Sequence, residues 1–251
     1  MQAPTGTTLK SFKTALVTGA AQGIGRGIAL RLSKDGLKVA INDLPAHSKL
    51  LDSLKSEIEA NGTKCAIVVA DVSDDTQVKS MVDQAVQELG SLDVMVANAG
   101  ISLPAPLLQA SVESWDTLFA VNARGAFLCY KYAALQMVAQ GHGGRIIGAS
   151  SYAGQRAEAS LGAYSATKAA ISSLTQSAAI ELGAHGITVN AYAAGAIDTP
   201  MDMLAQMGMD PVAFRESEAN KCVAKRFGTA EDIANLVSFL ASPQSDFVTG
   251  K

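Results

Sequence analysis

The sequence predicts an α/β protein built as one doubly wound, parallel β-sheet with helices on both faces. Three observations predict it. Short apolar runs alternate with longer helical patterns from about residue 14 to residue 241. The apolar runs show little internal alternation, as strands covered on both faces require. A glycine-rich turn separates the first run from the first helix, the place where such sheets hold ligands.

In chain order, residues 14–18 (TALVT) read as a strand and residues 24–34 as a helix. Strand 38–42 (KVAIN) precedes a helix over about 48–60, and strand 64–70 (KCAIVVA) one over 75–89. Strand 92–97 (LDVMVA) leads through a proline-containing loop into a helix over about 115–140. Strand 144–149 (GRIIGA) precedes a helix over about 163–182, and strand 186–191 (GITVNA) is the sixth. A further helix covers 230–241. No linker, repeat or low-complexity run divides the chain, so residues 1–251 are expected to form one domain.

Composition narrows the function classes. With 251 residues and 48% hydrophobic content, one sizeable core is affordable. A formal charge of −3 gives no reason to expect nucleic acid or an anionic membrane as partner. Cys65, Cys129 and Cys222 are far apart and odd in number, which points to free thiols in a reducing compartment and to no metal site. The N-terminus, MQAPTGTTLKSFK, lacks the basic flank and apolar core of a signal peptide, and no apolar run approaches a membrane span. The SKL tripeptide at Ser48–Leu50 is internal, where that address is not read. A soluble, cytoplasmic protein is the expectation.

Two short stretches carry chemistry. After the first strand come Thr18-Gly19-Ala20-Ala21-Gln22-Gly23-Ile24-Gly25. Glycines there permit a tight turn and close backbone approach to a pyrophosphate, toward which the next helix directs free N–H groups and its dipole. A glycine triplet alone is weak, since turns collect glycine for backbone reasons; its position between strand and helix strengthens it. The second stretch is Tyr164-Ser165-Ala166-Thr167-Lys168. Tyrosine and lysine four apart share a helix face, and nearby positive charge favours a phenolate. Elsewhere, none of Tyr130, Tyr132, Tyr152 and Tyr192 has a lysine four residues on.

TGAAQGIG resembles the glycine motif of the short-chain dehydrogenase/reductases, with their Rossmann-like fold. Further motifs follow in that family's order over about residues 13–250: Asp71-Val72, Asn98-Ala99-Gly100, Asn122, Ser151, Tyr164-x-x-x-Lys168, and AGAIDTPM from Ala194 to Met201. The resemblance implies an NAD(P)-dependent oxidoreductase that moves a hydride between nicotinamide and a secondary alcohol or ketone. It implies Ser151, 13 residues before Tyr164, as the group holding the substrate oxygen, in preference to Ser150. Tyr164 is then the acid/base, Lys168 and the positive nicotinamide ring lower its pKa, and Lys168 also holds the nicotinamide ribose. The backbone carbonyl of Asn122 anchors a water in a proton relay. Gly19, Gln22, Gly23, Ile24 and Gly25 cradle the cofactor, and Asp71 and Val72 meet the adenine. Asn98, Ala99, Gly100 and Val121 line the cofactor, and Ile197 and Thr199 meet the carboxamide. Asp43, 18 residues after Gly25, with Leu44 beside it, reads as the acceptor for the adenosine ribose hydroxyls. NAD is therefore expected over NADP, although Arg26 lies close by.

The resemblance further implies a homodimer or homotetramer. Three departures stand out: Ala97 where a second asparagine is common, Ala194 where a proline is usual, and an ending, SDFVTGK, where relatives continue into a last strand. The usual last edge strand is thus expected to be missing. Substrate selection is expected from residues 102–108, 152–161 and a small lid around 200–221, which carries Met201, Met203, Met207, Met209 and Phe214. GHGGRIIGASS and AYSATKAAISSLTQSAA are similar to acetoin/diacetyl reductases, which act on small hydroxyketones and diketones. The rival readings are a non-catalytic dinucleotide-binding sensor or scaffold, and an epimerase or dehydratase on the same scaffold.

Overall fold

The computed structural model describes residues 12–156, 158–199 and 210–251. Six strands form one sheet: β1 (Thr14–Val17), β2 (Lys38–Asp43), β3 (Cys65–Val69), β4 (Val94–Ala97), β5 (Gly144–Ser151) and β6 (Ile187–Ala194). Their order is β3-β2-β1-β4-β5-β6 and every pairing is parallel. The chain reverses its winding between β1 and β4, so the crevice at their C-terminal ends is the place for a ligand.

Successive strand residues feed opposite cores, because strand side chains alternate in direction. Leu16, Ala40, Met95 and Ile146 pack with α3 (Asp75–Leu89), α5 (Gly125–Gln140) and α6 (Gly162–Leu182) on one face. Val17, Val39, Ile41, Val94 and Ile147 pack on the other face with α1 (Gly23–Lys34), α2 (Ser48–Ala60) and a helix over Ala230–Ala241, here α8. Leu16, Ile41 and Met95 are wholly buried, each contributing about 1.5–3 kcal/mol against exposure.

The predicted helix over 115–140 is longer and not uniform. Ser111 caps α4 (Val112–Leu118), which passes through a π-helical turn at Phe119–Arg124 into α5. The widened turn carries Val121 and Asn122, and such turns are frequent at functional sites. β5 and β6 run past their predicted ends because Ser151 and Ala194 still pair across the ladder. Phe214 and the end of the expected lid fall in α7 (Pro211–Lys221), capped by Asp210; Met201, Met203, Met207 and Met209 lie outside the described residues.

The described sheet has six strands, and the outer edge of β6 is not bare. Gly250 N–H donates to the Val189 carbonyl at 2.8 Å, and Ala191 N–H donates to the Lys251 carbonyl at 2.6 Å. The final residues therefore lie along the outer edge of β6.

At the opposite end of the sheet, Asp93 gathers the strand starts. Its Oδ2 accepts from the N–H groups of Lys13 and Thr14 and from the Thr14 hydroxyl, while His142 Nε2 lies 2.8 Å from Oδ1. Burial works to raise the Asp93 pKa, but bonds from His142, Lys13 and Thr14 outweigh it and hold the carboxyl below its ordinary value. A carboxyl held low contributes stability above the unfolded value of about 3.9, and loses it as pH falls through the native value. Asp93→Asn is expected to cost about 1–3 kcal/mol in denaturant unfolding at pH 7. Its deficit against wild type should shrink below about pH 4; an equal deficit at pH 7 and pH 3.5 would contradict this.

Candidate active site

The glycine turn is shaped by its neighbours as much as by its own sequence. Gly19 and Gly23 have φ of +63° and +56°, the left-handed region that glycine enters at little cost. A Cβ on Gly19 would lie 2.9 Å from the Ala99 Cα, and one on Gly25 would overlap the Gly19 carbonyl. Gln22 stands at the N-terminal boundary of α1 without a side-chain capping bond, and the first turn holds Gly23, Ile24 and Gly25.

The loop after β4 braces this turn from behind. The Asn98 side-chain amide donates to the carbonyls of Thr18 (2.8 Å) and Gly19 (3.2 Å). The N–H groups of Asn98 and Ala99 both donate to the Thr18 hydroxyl at 3.1 Å. Buried Tyr192 of β6 donates its hydroxyl to Asn98 Oδ1 at 2.7 Å. The side chain of Asn98 is thus spent on the turn. The sequence gives Tyr192 no role, since no motif marks a bond spanning 94 positions.

At the rim, Asp43 ends β2 with Oδ2 accepting from Ala21 N–H at 3.0 Å and Oδ1 from Leu44 N–H at 2.9 Å. Arg26 is paired with Glu57 of α2. Asp71 accepts from Ser73 N–H at 2.8 Å, while the cap of α3 is Asp74, accepting from Gln77 N–H. Val72 is buried against Gly125, whose absent side chain leaves it room. Ile197 bridges to Gly228, and Thr199 follows two residues on, beyond the end of β6. A turn open to a phosphate, helix N–H groups behind it and a carboxylate at the end of β2 fit a dinucleotide.

On the other side of the switch point, four sequence-predicted residues converge. Asn122 is wholly buried; its Oδ1 accepts from Ile101 N–H, and its Nδ2 donates to the Ile101 carbonyl and the Thr167 hydroxyl. Its amide therefore ties the β4 loop to α6 one residue before Lys168. The two adjacent serines separate cleanly. Ser150 donates to the Lys168 carbonyl and meets the Ser172 hydroxyl, anchoring α6 to the sheet. Ser151 donates to the Ala194 carbonyl at 3.4 Å and accepts from Ala153 N–H, with its hydroxyl near the Tyr164 phenol. A Cβ on Gly154 would lie 2.8 Å from the Lys168 carbonyl carbon, so this glycine lets the turn after Ser151 approach α6.

Lys168 is buried, with Nζ donating to the Ala149 carbonyl at 2.8 Å and standing 5.5 Å from the Tyr164 ring centre. Gly100 faces it across a gap too narrow for a comfortable side chain. Burial pushes the ammonium down to about 8. The expected lowering of the Tyr164 pKa draws on the nicotinamide ring as well as on Lys168; in the protein alone burial dominates. Burial drives the Tyr164 phenol above its ordinary value, opposed by the nearby Ser151 hydroxyl. The low-dielectric pocket penalises both charged forms, phenolate and ammonium alike.

The family model described as enoyl-(acyl carrier protein) reductase matches residues 19–251. A short-chain dehydrogenase/reductase of Armillaria gallica is 49% identical over 247 residues, 98% of this chain and 95% of the relative. The chain belongs to the short-chain dehydrogenase/reductase family. A diacetyl reductase, (S)-acetoin forming, of Staphylococcus epidermidis is 40% identical over 95% of each chain. The crystal structure of a short-chain dehydrogenase from Burkholderia cenocepacia in complex with NADP superposes with a TM-score of 0.87 at 33% identity, covering 95% of this chain and 94% of that one. Membership makes the protein an oxidoreductase of small molecules. No helix among the described residues is long and apolar enough to cross a membrane.

An ammonium held below its unfolded value of about 10.4 costs stability wherever the unfolded lysine is charged and the folded one is forced to be. Lys168→Met is therefore expected to raise the unfolding free energy at pH 7 by about 1–3 kcal/mol while abolishing turnover. The gain should fade as pH rises from about 8 toward 10. Chemical denaturation at pH 7 and pH 10 checks it, and a variant less stable than wild type at pH 7 would refute it.

Proposed function

We propose that this chain is an NAD(H)-preferring alcohol dehydrogenase and ketone reductase acting on a small secondary alcohol or ketone, of the hydroxyketone or diketone kind. The convergence of Ser151, Tyr164 and Lys168 beside the glycine turn carries this reading. A bound nicotinamide supplies the hydride in reduction and accepts it in oxidation. Ser151 then positions the substrate oxygen by hydrogen bond. Tyr164 donates its proton to that oxygen as a ketone is reduced, or takes one from the alcohol in the reverse direction. Its phenol sits above its ordinary value, so it is held protonated and ready for reduction. Lys168 faces the phenol with the charge that stabilises phenolate once the proton has left. Asn122 and Thr167 hold the α6 turn that presents both.

Asp43 supports NAD(H), because a carboxylate accepts ribose hydroxyls and repels a 2′-phosphate. Arg26, the nearby cation, is engaged by Glu57. The kinship with a diacetyl reductase supports the small-ketone class. Phe127 and Leu135, exposed on α5, support a homodimer or homotetramer. Three free cysteines support work in the cytoplasm.

Tyr164→Phe is expected to bind NADH as wild type does but to reduce diacetyl at least 10²-fold more slowly, within the ~10²–10⁴ range of a lost acid/base. Calorimetry and nicotinamide absorbance read the two effects. Wild-type kcat/KM for reduction should fall as pH rises through about 8, where Lys168 loses its charge. Tight NADH binding with no ketone reduced across a broad panel would favour the sensor reading instead.

A further inference from the structure

Tyr192 is a buried phenol that the proposed chemistry does not use. It stands on β6, and β5 lies between that strand and β4. The residue of β5 in register with Tyr192 is Ala149, whose methyl leaves the ring room to cross. Both belong to one apolar cluster. Beyond it the hydroxyl meets Asn98 Oδ1 at 2.7 Å, that oxygen's one partner among the described residues.

The direction of this bond is fixed from both ends. The Asn98 nitrogen holds the carbonyls of Thr18 and Gly19, so the amide cannot turn over without setting its oxygen against two other acceptors. Oδ1 therefore needs a donor. Burial pushes the Tyr192 phenol above its ordinary value, so the hydroxyl keeps its proton and supplies one. Without it a buried amide oxygen is left unpaired, which is costly. The amide regains a partner only by swinging toward water, and it then releases the carbonyls of the glycine turn.

We propose that Tyr192 is a positioning residue for cofactor binding, its hydroxyl locking the Asn98 amide in the orientation that holds the glycine turn in its binding shape. The proposal rests on the turn as the cofactor cradle and is independent of which ketone is reduced. Once the hydroxyl is gone, the turn is competent only part of the time. Cofactor affinity falls by that fraction, while the bound state, once reached, works as in wild type.

NADH titration by cofactor fluorescence, steady-state reduction of diacetyl and thermal unfolding test it on wild type, Tyr192→Phe, Asn98→Ala and the double variant. Tyr192→Phe keeps the ring and its packing. It should raise the NADH Kd about tenfold, or about 1.4 kcal/mol, with kcat at saturating NADH and its pH profile close to wild type. In the Asn98→Ala background the same change should leave Kd unaltered, because two residues acting through one bond do not add. Asn98→Ser takes its place if Asn98→Ala does not fold. An unchanged Kd in Tyr192→Phe overturns the proposal. So does an equal loss in both backgrounds, which would make Tyr192 a packing residue alone. A lower kcat with a displaced pH profile and an unchanged Kd also overturns it, since Tyr192 would then act on the nearby Tyr164 phenol. The Kd comparison decides even if no ketone is reduced and the proposed activity fails. If wild type binds neither NADH nor NADPH, the cradle reading falls and the Tyr192 proposal with it.

Discussion

The side-chain amide of Asn98 joins two parts of the molecule that the chain itself keeps apart. At the switch point between β1 and β4 the crossovers leave in opposite directions, and a crevice opens. Asn98 spans it, holding the carbonyls of Thr18 and Gly19 with its nitrogen and receiving Tyr192 on its oxygen. Thr18 answers by accepting the N–H groups of Asn98 and Ala99. These bonds satisfy the carbonyls that enter the glycine turn, while Ala20 N–H donates to the Asn42 carbonyl and Ala21 N–H to Asp43. The catalytic side is tied to the same loop, since Ile101, three residues after Asn98, is bound at both N–H and carbonyl by Asn122. Cofactor turn and catalytic helix are therefore positioned from one loop.

Burial on the catalytic side has a cost and a use. Lys168 has Ala149 as its carbonyl partner and a pocket that resists its charge. A surface tyrosine–lysine pair on a helix would be worth little. Here the low dielectric makes each charge strongly felt by its neighbour, which is what a shuttled proton needs. The same environment holds the phenol protonated until a substrate oxygen is there to take the proton. Stability is given up where chemistry is gained, and the apolar layers on both faces of the sheet supply the reserve.

Much of this was legible in the residues. Six strands, their alternation with helices and the parallel sheet follow from period and composition, because a strand buried on both faces must be apolar throughout. The glycine turn, Asp43 at the end of β2 and the Tyr164–Lys168 pair are legible from position and spacing, since turn geometry and the i, i+4 helix face are local properties, whereas Ser151 is implied by the family resemblance. Local rules also failed locally. The π-helical turn at Phe119–Arg124 carries no sequence mark, and the early start of α4 at Val112 depended on Ser111 acting as cap.

What the sequence by itself determined was the inventory and its order: which residues could bend, accept, donate or shuttle, and on which element each would stand. The tertiary structure decided which of them meet. It separated Ser150, spent on Lys168 and Ser172, from Ser151, which faces Tyr164. It paired Asp43 with His47 and Arg26 with Glu57. It also raised the Tyr164 phenol in the protein alone, because burial depends on everything packed around a group and spacing along the chain records none of it.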